Sequence, residues 1–257
     1  MFFCRPMLAV ALLVFLPGAH ADPQEWLDCL GANAPDRSFS GELTLVTSAA
    51  ESAGETLKTR ALGEKRGPRL NLNLKITEPS NLAGTAFLLQ EQNGQDSMHV
   101  YLPGLRKTRR VTGSMGNQEL WGTSFSYSDI KQLFGAFAEG SFSDGGEQSL
   151  DDRPAHLLRL VPSPALEADY ATMHLWIWPE ECVLAGMDLL SADERVLKSL
   201  RATREAIIEQ GDARIPTRWT MQDFVTERST VATLANLQYE AGISPAAFNV
   251  RGFENVR

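Results

Sequence analysis

From residue 39 onward the chain alternates apolar and polar side chains with a period of two. Phe39, Gly41, Leu43 and Leu45 alternate with Ser40, Glu42, Thr44 and Val46. Leu70, Leu72, Leu74 and Ile76 alternate with Asn71, Asn73, Lys75 and Thr77. A strand of this kind has one dry face and one wet face, which is the pattern of an antiparallel sheet. The same reading predicts strands at Thr85–Glu91, Met98–Leu102, Leu105–Val111, Ala155–Val161, Tyr170–Trp178, Val183–Leu190, Val196–Ile208, Pro216–Val225 and Thr230–Tyr239. Turn signals separate many of these segments: Glu51–Gly54, Gly67-Pro68, Asn93-Gly94, Pro103-Gly104, Gly145-Gly146 and Gln210-Gly211. The expectation is about eleven strands in meander order.

Helical spacing is scarce. Gln24–Leu30 places Trp26, Leu27 and Leu30 on one face, with Asp22 as N-cap, Pro23 at the first helical position, and Gly31 to Pro35 as its end. Tyr127–Ala138 places Ile130, Leu133, Phe134 and Phe137 on one face, with Ser128 as its N-cap. Ser244–Phe248, with Pro245 at its start, is a final turn. A long meander with one apolar face must cover that face. A closed barrel does so, and so does a curled sheet plugged by helices. So few short helices would cover only part of the concave side, leaving a lipid-sized apolar concavity.

The first 21 residues break from this pattern. Arg5 precedes an apolar run from Met7 to Leu16, Pro17-Gly18 breaks it, and Ala19-His20-Ala21 presents small residues for cleavage. This reads as a secretory signal peptide, too short in its core to span a bilayer, which needs about 20 residues. The expected organisation is a signal at 1–21 and one domain at 22–257. Export also changes the reading of the cysteines. Cys4 leaves with the signal, and Cys29 and Cys182 remain for an oxidising compartment. We expect them to pair; two separate buried thiols is the alternative.

Composition narrows the function classes. Of 257 residues, 43% are hydrophobic and 22% charged, which is globular rather than disordered. The net charge of −8 argues against a nucleic-acid binder, which needs a broad basic face. Gly122-Thr123-Ser124-Phe125-Ser126 lacks the second glycine of a nucleophile elbow, and no Walker loop or Gly-x-Gly-x-x-Gly occurs. His99, His156 and His174 stand in different strands without metal-ligand spacing. Asp151-Asp152 and Glu180-Glu181 read as solvated turn charges. Nothing in these residues calls for catalysis, a metal or a cofactor.

Three features stand out. Arg106-Lys107-Thr108-Arg109-Arg110 concentrates four cations in an acidic chain. It reads either as a charged edge strand that resists aggregation or as a docking patch for acidic headgroups or an acidic partner. Leu120–Tyr127 carries Trp121, Phe125 and Tyr127 in a loop entering a helix. It is either a plug packed into the sheet or a movable lid. His174–Trp178 is apolar on both faces, as a central strand would be, with one tryptophan face under another element.

The order of features resembles the bacterial outer-membrane lipoprotein-sorting family, the LolA/LolB-like carriers, and within it the branch that accompanies RND-type lipid exporters. The matching residues are Cys29-Leu30 with Asn33 and Pro35, Gly84–Leu88, Tyr101-Leu102-Pro103 with Leu105-Arg106-Lys107 and Arg109-Arg110, Gly122–Asp129, Leu197-Lys198, Ile215-Pro216, and Phe248 with Phe253-Glu254. Gly122–Asp129 is the most specific block. It departs from the branch at Ser124, where the branch has Asp. The resemblance implies a half-open antiparallel barrel with helices in its mouth, binding of acyl chains, no cofactor and no catalysis.

The combined expectation is a periplasmic carrier of a lipid or lipoprotein acyl chain, monomeric, touching membrane surfaces transiently and working with an inner-membrane RND-type exporter. Its cargo would lie on Leu43, Leu45, Leu70, Leu72, Leu74, Ile76, Phe87, Leu89, Val100 and Leu102, with Trp219 and Met221 on the far wall. Trp121, Phe125, Tyr127, Leu133, Phe134 and Phe137 would form the lid, and Arg106, Lys107, Arg109 and Arg110 the docking patch. The alternative is an envelope adaptor that docks an exporter and has no open lipid cavity.

Overall fold

The structure, a computed structural model, describes residues 22–33, 36–49, 52–67, 69–92, 95–133, 140–163, 170–239 and 242–256. Residues 1–21, Pro35, Asn93-Gly94, Phe134 and Phe137 therefore lie outside the described residues.

Fifteen strands are present among the described residues. They are β1 (Ser38–Ala49), β2 (Ser52–Arg66), β3 (Arg69–Glu78), β4 (Ala86–Gln92), β5 (Gln95–Leu102), β6 (Lys107–Val111), β7 (Gly140–Leu150) and β8 (Arg153–Pro162), then β9 (Thr172–Trp178), β10 (Val183–Leu190), β11 (Val196–Ala202), β12 (Ile207–Gln210), β13 (Ala213–Pro216), β14 (Arg218–Asp223) and β15 (Arg228–Tyr239). Thirteen of them form one antiparallel sheet in the order β6, β5, β4, β3, β2, β1, β15, β14, β11, β10, β9, β8, β7. The sheet is curled and open, with β6 and β7 as its two edges. β12 and β13 pair as a separate hairpin.

The mainly β class and the one-faced alternation agree with the sequence, but the strand count of about eleven does not. β2 and β7 lacked a usable pattern. β2 alternates around small or polar residues on its inner face, including Thr59, Ala61 and Gly63. β7 is glycine-rich and carries a bulge between Asp144 and Gly146. The segment Val196–Ile208 is two strands separated by a 3-10 turn at Arg204–Ala206, and Pro216–Val225 is likewise divided at Thr217. β6 begins at Lys107 because Leu105 and Arg106 belong to the preceding turn, where Arg106 has φ 49.

Register places the apolar residues on one continuous concave face. Leu45 sits opposite Leu57 and Ala232, Leu72 opposite Leu89, Phe87 opposite Leu74 and Val100, and Leu200 opposite Met221. Leu158 and Leu175 continue the face in the other half of the sheet. Phe39 also lies on this side, flat against Gly63; a Cβ there would come within 2.1 Å of its ring.

The convex face is not wet throughout. Asn71, Asn73 and Lys75 were expected to face water, yet Asn73 is 2% exposed. The C-terminal segment crosses β2–β5 here, and Ala247, Phe248 and Phe253 pack on Leu62, Ala86 and Leu88. Asn73 Nδ2 donates to the carbonyls of Ala247 (2.8 Å) and Phe253 (2.9 Å), and Gln90 Nε2 donates to that of Phe248 (3.0 Å). The polar positions of β3 and β4 thus satisfy the carbonyls of a strap that has no sheet partners of its own. The strap contains the anticipated turn, Pro245–Phe248, with Ser244 as its N-cap. Over the other half, Trp178, Val183, Ala185 and Leu150 form a smaller convex cluster against which Ile207 packs, so both faces of β9 are covered as expected.

Helix α1 (Pro23–Ala32) starts at Asp22, whose carboxylate accepts the Gln24 amide at 3.0 Å. Trp26, Leu27 and Leu30 pack on the concave core. Cys29 is disulfide-bonded to Cys182, with Cα atoms 5.6 Å apart and a sequence separation of 153. Asn33 reinforces the junction by donating to the Cys182 carbonyl at 2.6 Å. Closing so long a loop restricts the unfolded chain by up to about 5 kcal/mol in the chain-entropy account. Denatured protein lacking residues 1–21 should therefore titrate no free thiol until it is reduced. Cys29→Ser/Cys182→Ser should unfold at lower denaturant, with a loss of about 2–5 kcal/mol. Two titratable thiols in the oxidised protein would contradict the pairing.

Candidate functional site

The candidate site is the concave face and the segment laid over it. Leu43, Leu45, Leu70, Leu72, Leu74, Ile76, Phe87, Leu89 and Val100 are buried, and Leu102 is half-buried beside them. Trp219 and Met221 face the same core. The register therefore brings the predicted wall residues onto one side. The sequence led us to expect part of that side to be bare, and along these positions it is covered.

The cover is the block Glu119–Leu133. Its turn is made by Trp121 (φ 53) and Gly122 (φ 78), which reverse the chain so that Glu119 bridges Ser126. Leu120, Phe125 and Ile130 are fully buried in the concave core. Helix α2 (Tyr127–Leu133) follows, with the Tyr127 ring 5.3 Å from that of Phe87. Burial raises the Tyr127 pKa above its ordinary value. Trp121 remains half-buried at the margin. The side chain of Leu133, like Phe134 and Phe137, lies outside the described residues. The N-cap is Ser126 rather than Ser128. Its hydroxyl accepts the Asp129 amide at 3.0 Å, and Asp129 accepts the Ser126 amide at 2.8 Å, a reciprocal capping box.

Asp129 does more than cap. Lys198 Nζ of β11 donates to its Oδ2 at 2.9 Å, and the Tyr170 hydroxyl donates to its Oδ1 at 3.3 Å. Lys198 also lies 3.9 Å from Asp223 of β14. The side chains of Asp129, Asp223 and Lys198 are 1%, 7% and 12% exposed. Beside them, the Ser124 amide donates to Thr230 Oγ1 (2.8 Å), the Thr230 hydroxyl donates to Ser124 Oγ (3.1 Å), and Thr47 Oγ1 lies 2.9 Å from Thr230 Oγ1. At the rim Arg228 pairs with Glu119 at 2.7 Å. The plug is thus apolar underneath and polar at its anchor. Ser124 spends both its backbone amide and its hydroxyl on Thr230.

Sequence reading missed Lys198, Asp223 and Thr230 as site residues. A signal existed. Each is a polar residue in phase with buried ones: Lys198 with Leu200, Asp223 with Met221 and Trp219, Thr230 with Ala232 and Leu234. An inward-pointing polar residue near a strand end asks for a partner. A second inward pair lies elsewhere on this face: His156 Nε2 is 2.7 Å from Asp144 Oδ1, and the His156 ring stacks on Trp26 at 4.1 Å.

The basic run lies on and just before edge strand β6. Arg106, Lys107, Arg109 and Arg110 are exposed, and none has a carboxylate within ion-pair reach among the described residues. Pairing with β5 divides them. Lys107 lies opposite Leu102 and Arg109 opposite Val100, on the concave side, whereas Arg110 lies opposite His99 on the convex side. Burial first, and then the charge of Arg110, hold His99 below its ordinary 6.5. Among the described residues no group of three or more His, Cys, Asp or Glu is placed to hold a metal, and no helix is long and apolar enough to cross a membrane.

A family model described as "-like: Uncharacterized protein" matches residues 72–255, more than half of the 257. The chain belongs to that family. No curated protein matches it. Among solved structures it is similar to a DUF1329 family protein from Desulfovibrio piger, at 21% identity and TM-score 0.79, covering 89% of this chain and 98% of that one. An outer membrane lipoprotein-sorting protein domain from Vibrio parahaemolyticus has 16% identity and TM-score 0.80, over 91% of this chain and 100% of that one. A LolA superfamily protein from Nitrosomonas europaea has 18% identity and TM-score 0.67, over 86% and 96%. The fold is therefore LolA-like, an open curled sheet with its plug on the concave side.

Two outcomes follow from this geometry. Lys198→Met strands the buried Asp129 carboxylate, so it should destabilise the plug by about 3–5 kcal/mol and speed hydrogen exchange at residues 123–130. Asp129→Asn added to Lys198→Met should recover much of that loss. Unchanged exchange in the single variant would show that the ion pair does not hold the plug. Separately, Arg110→Gln should move the His99 titration upward in NMR but leave it below 6.5, because burial is the larger cause.

Proposed function

We propose that this protein is a non-catalytic periplasmic carrier that holds the acyl chains of a lipid or lipoprotein on the concave face of its sheet, between inner and outer membrane. One observation carries the reading. A continuous aliphatic wall crosses an open sheet and is covered by a local segment whose anchor is polar and separate from its apolar underside. Such a cover can leave as a unit and return.

The magnitudes make exchange feasible. Exposing Leu120, Phe125 and Ile130 costs roughly 1.5–3 kcal/mol each. A 14-carbon chain laid on the same wall gains about 10 kcal/mol before ordering costs. The two are close enough for cargo to replace the plug without irreversible capture. In this reading residues 1–21 direct export and are removed after Ala21. The part of the basic edge that faces away from the wall, Arg106 and Arg110, docks the carrier to an inner-membrane RND-type exporter.

The tightly packed plug also supports a second reading, an envelope adaptor that uses the edge for docking and carries nothing. Native mass spectrometry of protein purified from its own envelope, followed by lipid extraction, separates the two. The carrier reading expects a stoichiometric apolar adduct. It also expects Lys198→Met, with the plug loosened, to exchange that adduct faster. Protein that is bare in both forms, and stays bare after incubation with lipid vesicles, would leave only the adaptor.

A further inference from the structure

The register of β6 bears on the chemistry of the cargo, on the carrier reading above. Val111 is the wall's last residue on β6, and elsewhere along this edge the wall ends at β5, where Val100 and Leu102 face the core. One strand further out, about 5 Å away, the same face continues as Arg109 and Lys107. Both are exposed, and neither has a carboxylate partner among the described residues. Other cations of this face are placed differently. Lys198 is committed to Asp129 and Asp223, and Lys65 is partly buried opposite Leu70. The edge cations thus form a polar rim directly beside the apolar wall, in a chain of net charge −8 that would otherwise repel an anion.

We propose that Lys107 and Arg109 clasp the headgroup of the cargo, and that this protein selects amphiphiles bearing an anionic phosphate head over zwitterionic ones with the same chains. A headgroup must stay hydrated while its chains leave water, and the rim of an open sheet meets both demands. Arg109 offers a planar donor fork suited to phosphate oxygens, and Lys107 a second, mobile charge. Arg110 points to the other face beside His99 and Arg106 sits in the turn, so they are left for docking. The register thereby divides one basic run into a cargo-facing pair and an outward-facing pair.

The test uses the oxidised chain of residues 22–257, stripped of lipid and incubated with vesicles of equal phosphatidylglycerol and phosphatidylcholine with identical acyl chains. The protein is re-isolated, and its bound lipid is quantified by mass spectrometry. Wild type should be enriched in phosphatidylglycerol. Lys107→Gln/Arg109→Gln should reduce that enrichment on the order of fivefold while retaining total lipid uptake. Arg110→Gln should leave it unchanged. Equal uptake of both lipids by wild type would overturn the inference and leave the carrier reading intact. An equal loss of enrichment in Arg110→Gln would also overturn it, by assigning the preference to surface attraction of the whole edge. Inorganic phosphate displacing phosphatidylglycerol at equal concentration would mark a free-anion site rather than a lipid clasp. No uptake of either lipid would sink the carrier reading itself.

Discussion

The molecule is organised around a covering problem. Thirteen strands with one apolar face form an open sheet, and that face must be kept from water by something other than closure. Helices long enough to do so are absent among the described residues. The chain uses the N-terminal helix, tied down by Cys29–Cys182, and the Glu119–Leu133 plug. The burial of Leu72, Phe87 and Leu89 depends on cover of that kind, because β-strands cannot shield their own side chains.

The plug's construction gives this cover a character that a continuous core would lack. Its underside is made of ordinary apolar contacts, which another apolar surface could replace. Its position is set by a compact polar group, Asp129 with Lys198, Asp223 and Tyr170, and Ser124 with Thr230. Buried ion pairs of this kind add little net stability compared with well-packed apolar residues, but separating the partners while they stay buried is strongly unfavourable. Adhesion and registration are therefore carried by different atoms. That separation is what a replaceable cover requires.

The convex side follows another logic. The C-terminal strap lies on β2–β5 and is fastened by Asn73 and Gln90, which donate to its carbonyls. The β12–β13 hairpin brings Ile207 to the smaller cluster around Trp178. Both attachments leave the concave side free, so the structure has a braced back and a covered front. The exposed cations of β6, unpaired among the described residues, stand at the boundary, where an edge strand is also best protected against pairing with another chain.

The period-two alternation determined the fold class, the antiparallel pairing and the identity of the wall, because a strand's two faces are defined by adjacent residues. The export signal, not the alternation, pointed to the Cys29–Cys182 pair, and the aromatics of Leu120–Tyr127 marked Phe125 as either plug or lid, which only packing decided. The alternation missed β2 and β7, where small or polar inner positions such as Thr59, Ala61 and Gly63 and the bulge at Asp144–Gly146 interrupt the apolar pattern around Leu57 and Phe142. It misplaced the helix cap by two residues, because Ser126 and Ser128 differ only in the backbone that precedes the helix. Tertiary structure alone decided that the asparagine face of β3 is dry, that Lys198, Asp223 and Thr230 meet the plug, and that Lys107 and Arg109 look inward while Arg110 looks out. Each of these depends on which distant segment lies across a face or on the register of one strand against the next. Local alternation specifies a surface, but long-range packing specifies what is placed on it.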